Sequence, residues 1–312
     1  MLFSLALIPV VGLLLFIYFN DKKEKEPISL LIALFFAGMG TVITAFIAET
    51  IGQTIVELIF IVQLNNYMLS SIMVAVLVVG PAEELGKFLV LRLITWKNRN
   101  FNYSYDAIVY SVFVSLGFAA LENVLYVFIN GTDVALMRMF TAVPGHACFA
   151  VFMGYFYSKA KYASLTKSRK CALHIMLSML IPIVLHGIYD AIIMGGASSG
   201  DEVMSGISLV LWIGFVIALF VVSIILIIRS SRHDFCIVSL PGDNQLVYRP
   251  EFVGTWTCSC GVINYLNYCS RCGNQRPMGN MWHCPVCGTL STFNFCGHCG
   301  SPRPLNSNTL YR

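Results

Sequence analysis

Seven stretches of this chain are each long and apolar enough to cross a bilayer: residues 1–19, 28–48, 68–91, 105–129, 134–157, 171–193 and 205–228. A spanning helix needs about 20 mostly apolar residues. In hydrocarbon, each backbone N–H and C=O must find its partner within the spanning structure, and a helix achieves this by itself. The runs therefore predict an all-α polytopic membrane protein. Residues 51–64 are also apolar, but they are short and contain Gln53, Glu57 and Gln63. They read as an interfacial helix, or as an eighth span, so about 7–8 transmembrane helices are expected. Charged residues make up 12% of the chain, against about 25% in a soluble domain.

The loops orient the bundle. Lys22, Lys23 and Lys25 lie in the first connection, Arg92, Lys97 and Arg99 in a later one, and five lysines and arginines fall between residues 158 and 170. Arg229 and Arg232 follow the last span. The alternate connections, 49–67, 130–133 and 194–204, contain neither lysine nor arginine. Basic loops stay in the cytosol, which predicts an N-terminus outside and a cytosolic C-terminal tail. The first apolar run lacks a basic leader and is followed by lysines, so it does not read as a cleaved signal peptide.

Ionisable residues inside membrane spans are costly and mark functional sites by default. Residues 81–87 read Pro-Ala-Glu-Glu-Leu-Gly-Lys within an apolar run. Helical spacing sets Glu83 and Glu84 three or four residues from Lys87, which can neutralise one carboxylate. Two adjacent carboxyls repel, and burial divides them into an acid and a base. Pro81 loosens the backbone just before them. Glu122 lies in the next run beside Asn123, with Arg138 as a plain ion-pair partner, and Pro144-Gly145-His146 lies in the one after. His186 and Asp190 stand one helical turn apart, where a carboxylate can hold an imidazole in one tautomer. Each feature alone has a structural reading, as an ion pair or a helix-face hydrogen bond. Together, on four successive spans, they describe a buried polar site. His174 has no such company and reads as an inert residue near the cytosolic interface.

The series Glu83-Glu84-x-x-Lys87, Phe118-x-x-x-Glu122, His146 and His186-x-x-x-Asp190 resembles the PrsW family of intramembrane proteases, relatives of the CAAX prenyl proteases and bacterial ABI-type proteins. The resemblance covers residues 1–228. It implies a peptidase that cuts membrane-anchored anti-sigma factors, with Glu83, Glu84, Glu122, His146 and His186 at the active site and Asp190 in support. Two mechanisms fit these residues. In one, a glutamate of the pair activates water while a histidine stabilises the oxyanion or protonates the leaving amine. In the other, His146, His186 and a glutamate hold Zn²⁺. No His-Glu-x-x-His pair occurs, and the metal-free route is the one preferred from the sequence.

The tail beyond residue 230 changes character. Residues 231–252 read as a polar tether. A duplicated unit follows: Trp256-x-Cys258-x-Cys260 with Cys269-x-x-Cys272, then Trp282-x-Cys284-x-x-Cys287 with Cys296-x-x-Cys299. Each copy offers four thiols in two close pairs, the donor set of a closed tetrahedral zinc site. Two structural zinc ions are expected there, and their binding would be coupled to folding. The copies resemble Ran-binding-protein-type zinc fingers and, more loosely, double zinc ribbons. Few basic residues lie within them, so no nucleic-acid stripe is evident, and a cytosolic protein partner or self-association is the preferred role. Cys148, Cys171 and Cys236 are scattered and read as small apolar residues. The expected organisation is a membrane protease domain over 1–230, a linker over 231–252 and a tandem Cys₄ zinc-ribbon module over 253–312. The competing readings are a non-enzymatic membrane scaffold and a proton-coupled transporter. No internal symmetry of the transporter kind is visible in the membrane part.

Overall fold

The computed structural model describes residues 2–237 and, from the tail, residues 256–257, 263–264, 282–283, 286 and 290–291. In the membrane part, α1 (Leu2–Asn20) and α2 (Ile28–Glu57) are followed by α3 (Tyr67–Val74) and α4 (Gly80–Thr95). Then come α5 (Asp106–Asn130), α6 (Thr132–Phe140), α7 (Ala142–Leu165), α8 (Cys171–Ala197) and α9 (Glu202–Arg232). Six continuous helical stretches among the described residues are long and apolar enough to span a membrane, and α1 adds a shorter apolar helix. The all-α polytopic class is as the apolar runs predict.

Three stretches differ from the expectation. Residues 51–62 are not a separate interfacial helix: they continue α2, which passes into a π-helical turn over Leu58–Gln63. Their polar groups are satisfied along the helix itself. Gln53 Nε2 donates to Glu57 Oε1 at 2.6 Å, and the Thr50 and Thr54 hydroxyls donate to carbonyls one turn back. Next, the run 134–157 breaks at Thr141 into α6 and α7. Pro144 stands in the first turn of α7, where its missing N–H costs nothing, and it cannot donate back to the Phe140 carbonyl. Finally, residues 231–237 are not tether. Asp234 Oδ1 accepts from the Ser104 hydroxyl and the Tyr105 N–H, both at 2.8 Å, and Ile237 N–H donates to Asn102 O at 2.7 Å. The end of α9 is thereby laced to the start of α5.

α5 is the hub, sheathed by α1, α2, α4, α6 and α7. Its side chains from Asp106 to Ala120 are nearly all buried, which explains an apolar pattern without a polar face. Small residues let it sit close to α2. A Cβ on Gly38 would fall 2.0 Å from the Val114 carbonyl oxygen, and one on Gly117 would fall 2.0 Å from that of Phe35. In lipid, helix association rests on such close packing, because hydrocarbon competes on equal terms with apolar side chains.

The lysine- and arginine-rich end of the bundle also buries carboxylates. Asp21, Glu26, Asp106 and Asp234 are all buried. Tyr110 donates its hydroxyl to Glu26, and Asp106 accepts from the N–H groups of Asn102 and Tyr103. Burial pushes the Asp21 carboxyl up to about 6 and that of Glu26 up to about 7.

The chain divides into two compact units, Met1–Val238 and Ser239–Arg312. In the second, β1 (Trp256–Thr257) pairs antiparallel with β2 (Ile263–Asn264), and β3 (Trp282–His283) pairs antiparallel with β4 (Leu290–Ser291). Each sequence copy thus carries the same small hairpin. The eight cysteines predicted to bind zinc, Cys258, Cys260, Cys269, Cys272, Cys284, Cys287, Cys296 and Cys299, lie outside the described residues.

Candidate active site

The site is assembled from four helices, and backbone irregularity lies at its centre. Pro81 cannot donate to Leu77, and the turn before it, Ala75–Val79, is π-helical, with the Gly80 N–H bonded five residues back to Ala75. Such π-bulges inside helices often accompany functional sites. Glycines then bring α4 against α8. A Cβ on Gly80 would sit 2.9 Å from the Ile183 carbonyl oxygen, and one on Gly187 would sit 3.1 Å from Val76 Cα. That closeness sets Glu83 and Glu84 opposite His186.

All seven residues expected from the sequence meet there. Glu83, Glu84, Lys87, His146 and His186 are buried. Lys87 Nζ donates to Glu84 Oε1 at 2.7 Å, to Glu83 Oε2 at 3.0 Å and to His146 Nδ1 at 3.2 Å. It also lies 4.0 Å from the centre of the Phe118 ring. The second nitrogen of each histidine faces a carboxylate: His146 Nε2 is 2.9 Å from Glu122 Oε2, and His186 Nε2 is 3.3 Å from Asp190 Oδ2. Glu122 also forms an ion pair with Arg138, its Oε2 2.8 Å from Nη2, so its plain ion-pair partner and its histidine partner are both real. Phe149 stacks on the His186 ring, with centroids 4.7 Å apart, and Ser115 donates its hydroxyl to the His146 carbonyl at 2.9 Å.

These contacts orient the imidazoles. With Nε2–H directed at the outer carboxylates, both Nδ1 lone pairs turn inward to the glutamate pair. His186 Nδ1 then stands 3.1 Å from Glu84 Oε1, two acceptors face to face. A proton or a cation between them removes that conflict. Glu84 Oε2 is buried and makes no hydrogen bond. One ligand atom from each of Glu83, Glu84, His146 and His186 can be chosen so that all four lie within 4.8 Å of one another. Two inward imidazoles backed by carboxylates, two buried carboxylates and an orphaned oxygen make a donor set that fits a divalent ion. Three of these four residues, Glu83, Glu84 and His146, share the ammonium of Lys87.

Sequence reasoning missed Glu49, a half-buried carboxylate on α2 close enough to Glu122 and His186 to interact with them through space. It lies just past the 28–48 run, and α2 continues through it. Phe149 was missed as well, since a phenylalanine in an apolar run carries no signal.

A family model described as "PrsW family intramembrane metalloprotease" matches residues 26–227. This chain belongs to the PrsW family. Protease PrsW of Geobacillus kaustophilus is 34% identical over 193 residues, which cover 62% of this chain and 80% of that protein. Protease PrsW of Oceanobacillus iheyensis is 34% identical over 212 residues, 67% of this chain and 90% of the relative. That of Bacillus subtilis is 32% identical over 190 residues, 61% and 81% respectively. No solved structure matches. As a PrsW family member, the chain is an integral, multi-pass membrane peptidase that acts on a membrane-anchored protein within the bilayer. The scaffold and transporter readings are not favoured. The family is described as metalloproteases, and the buried glutamates and histidines form a donor set that could hold a metal, which sets the metal route beside the metal-free one preferred from the sequence.

Proposed function

We propose that this protein hydrolyses a peptide bond in a single-span, anti-sigma-factor-like membrane protein, using a divalent metal, zinc by the donor set, held by His146, His186 and Glu84. The convergence of four donor atoms within 4.8 Å carries this reading. When bound, such an ion would supply Lewis-acid activation of water and of the scissile carbonyl. Glu83 takes the proton of the attacking water, because it is the carboxylate of the pair that keeps some exposure, 5% against none for Glu84. The same carboxyl then returns the proton to the leaving amine. Glu122 and Asp190 hold the two imidazoles with their Nδ1 atoms inward. Lys87 keeps the two carboxylates together and stabilises negative charge that develops beside them. Arg138 holds Glu122 in place.

The basic loops support an outside N-terminus and a cytosolic tail. In that tail, residues 253–312 form a tandem Cys₄ module with two structural zinc ions, and its repeated Trp-led hairpins support a common unit. A protein partner in the cytosol suits it better than nucleic acid.

The test is co-reconstitution of the full chain with single-span substrates, with metal content measured on the same samples. Cleavage should be lost in Glu83→Gln without loss of metal. It should be lost in His186→Ala together with one metal ion per chain. Wild-type levels of cutting by either variant would remove the glutamate–histidine mechanism. Equal metal content in wild type and His186→Ala would remove the ion from the membrane site.

A further inference from the structure

A second site lies at the other end of the same helices. Where the end of α7, the start of α8 and the end of α9 meet, they frame an open cavity of about 550 Å³. Its lining carries the cations Lys159, Lys170 and Arg229 and the imidazoles of His174 and His233, and it contains no acidic residue. None of the ion pairs among the described residues involves any of these five. Lys159 is held in place, its ammonium 2.8 Å from the Tyr155 hydroxyl and 4.1 Å from the centre of that ring. His174 Nδ1 is buried without a hydrogen-bond partner.

Two further features bear on the ligand. α8 begins at Cys171 with no side-chain cap; the Cys171 N–H is taken by the Ser168 carbonyl, and the positive end of the helix dipole adds to the same cationic region. The lining also has an apolar part, the buried Ile108 and Ala163 together with the exposed, edge-to-face rings of Tyr162 and Phe235. Leading away from it, Leu173 on α8 and Ile225 and Ile228 on α9 are exposed apolar side chains of membrane-spanning helices. A cationic pocket continuous with lipid-facing helix surface has the shape of a headgroup site.

We propose that this pocket binds the phosphate of an anionic phospholipid, with the acyl chains lying along α8 and α9. Basic pockets between membrane helices recognise anionic headgroups in this way, each lysine or arginine strengthening binding about fivefold. The site is independent of the glutamate–histidine cluster, because none of its lining residues belongs to that cluster.

Native mass spectrometry of the full chain, released from nanodiscs of mixed phosphatidylglycerol and phosphatidylcholine, tests the proposal. Phosphatidylglycerol should be retained in preference to phosphatidylcholine. Lys170→Gln should lower that retention about fivefold, and the Lys170→Gln/Arg229→Gln pair about 25-fold. Lys97→Gln, at the same end of the bundle but outside the pocket, should leave it unchanged. Melting temperatures of all variants should match the wild type, since these side chains are exposed. Retention of both lipids alike, no loss in the double variant, or an equal loss in Lys97→Gln would overturn the site. Displacement of the lipid by millimolar inorganic phosphate would overturn the lipid assignment and give the pocket to a soluble phosphate instead.

Discussion

Lys87 is the test of how the membrane site is held together. Its ammonium is fully buried and bridges two buried carboxylates at 2.7 and 3.0 Å. At an effective dielectric near 20, each contact represents roughly 6 kcal/mol of gross attraction. Burying the ammonium and the two carboxylates consumes most of it. Removing one partner of a buried pair nevertheless costs about 3–5 kcal/mol, because the charge left behind has neither water nor counterion. Lys87→Met keeps the volume and removes the charge, and in the metal-free protein it strands two carboxylates rather than one. A loss near 5 kcal/mol is expected. For a unit of this size, 1 kcal/mol corresponds to about 2–4 °C, so the variant should melt about 10–20 °C below wild type in detergent, followed by intrinsic fluorescence. Adding Glu83→Gln should restore roughly half of that difference, since one stranded charge is then gone. A Lys87→Met protein that melts within a degree or two of wild type would refute this account. So would a double variant no better than the single one.

Asp190→Asn keeps the hydrogen bond to His186 but removes the carboxylate that fixes its tautomer, and should weaken metal binding and cleavage about 10- to 100-fold with the melting temperature unchanged. Gly117→Ala places a methyl 2.0 Å from the Phe35 carbonyl oxygen. It should cost about 3 kcal/mol by forcing α2 and α5 apart, whereas Gly12→Ala, with open space around it, should melt like wild type. The buried carboxyl of Glu26 binds its proton up to about pH 7, above the usual glutamate value. The folded state therefore holds a proton that the unfolded chain releases between about pH 4.5 and 7, and stability falls as pH rises through that window. Thermal melts should shift downward from pH 5 to 8, and Glu26→Gln should flatten that slope.

The membrane architecture was legible because the bilayer imposes a single rule on every span. Runs of about 20 apolar residues and the lysine and arginine bias of alternate loops record that rule directly. The polar site was legible for the converse reason. Glu83, Glu84, Glu122, His146 and His186 stand out against hydrocarbon, where an ionisable group without a purpose is costly. Breaks and joins were less visible. Pro144 beginning a new helix at Ala142, the unbroken passage of α2 beyond residue 48, and the fold-back of residues 231–237 depend on which backbone groups find partners across the bundle. Local composition does not encode those partners.

What the sequence determined by itself was the set of chemical groups and the helices that carry them. Only the tertiary structure decided which atoms face each other. Glycines at positions 80 and 187 draw α4 against α8, and the outer carboxylates Glu122 and Asp190 turn both Nδ1 atoms inward. Phe149 joins the site through packing alone, stacked on the His186 ring. The physical reason is distance: residues 83, 122, 146 and 186 share no local periodicity, so their common centre exists only once close helix packing has closed the bundle around it.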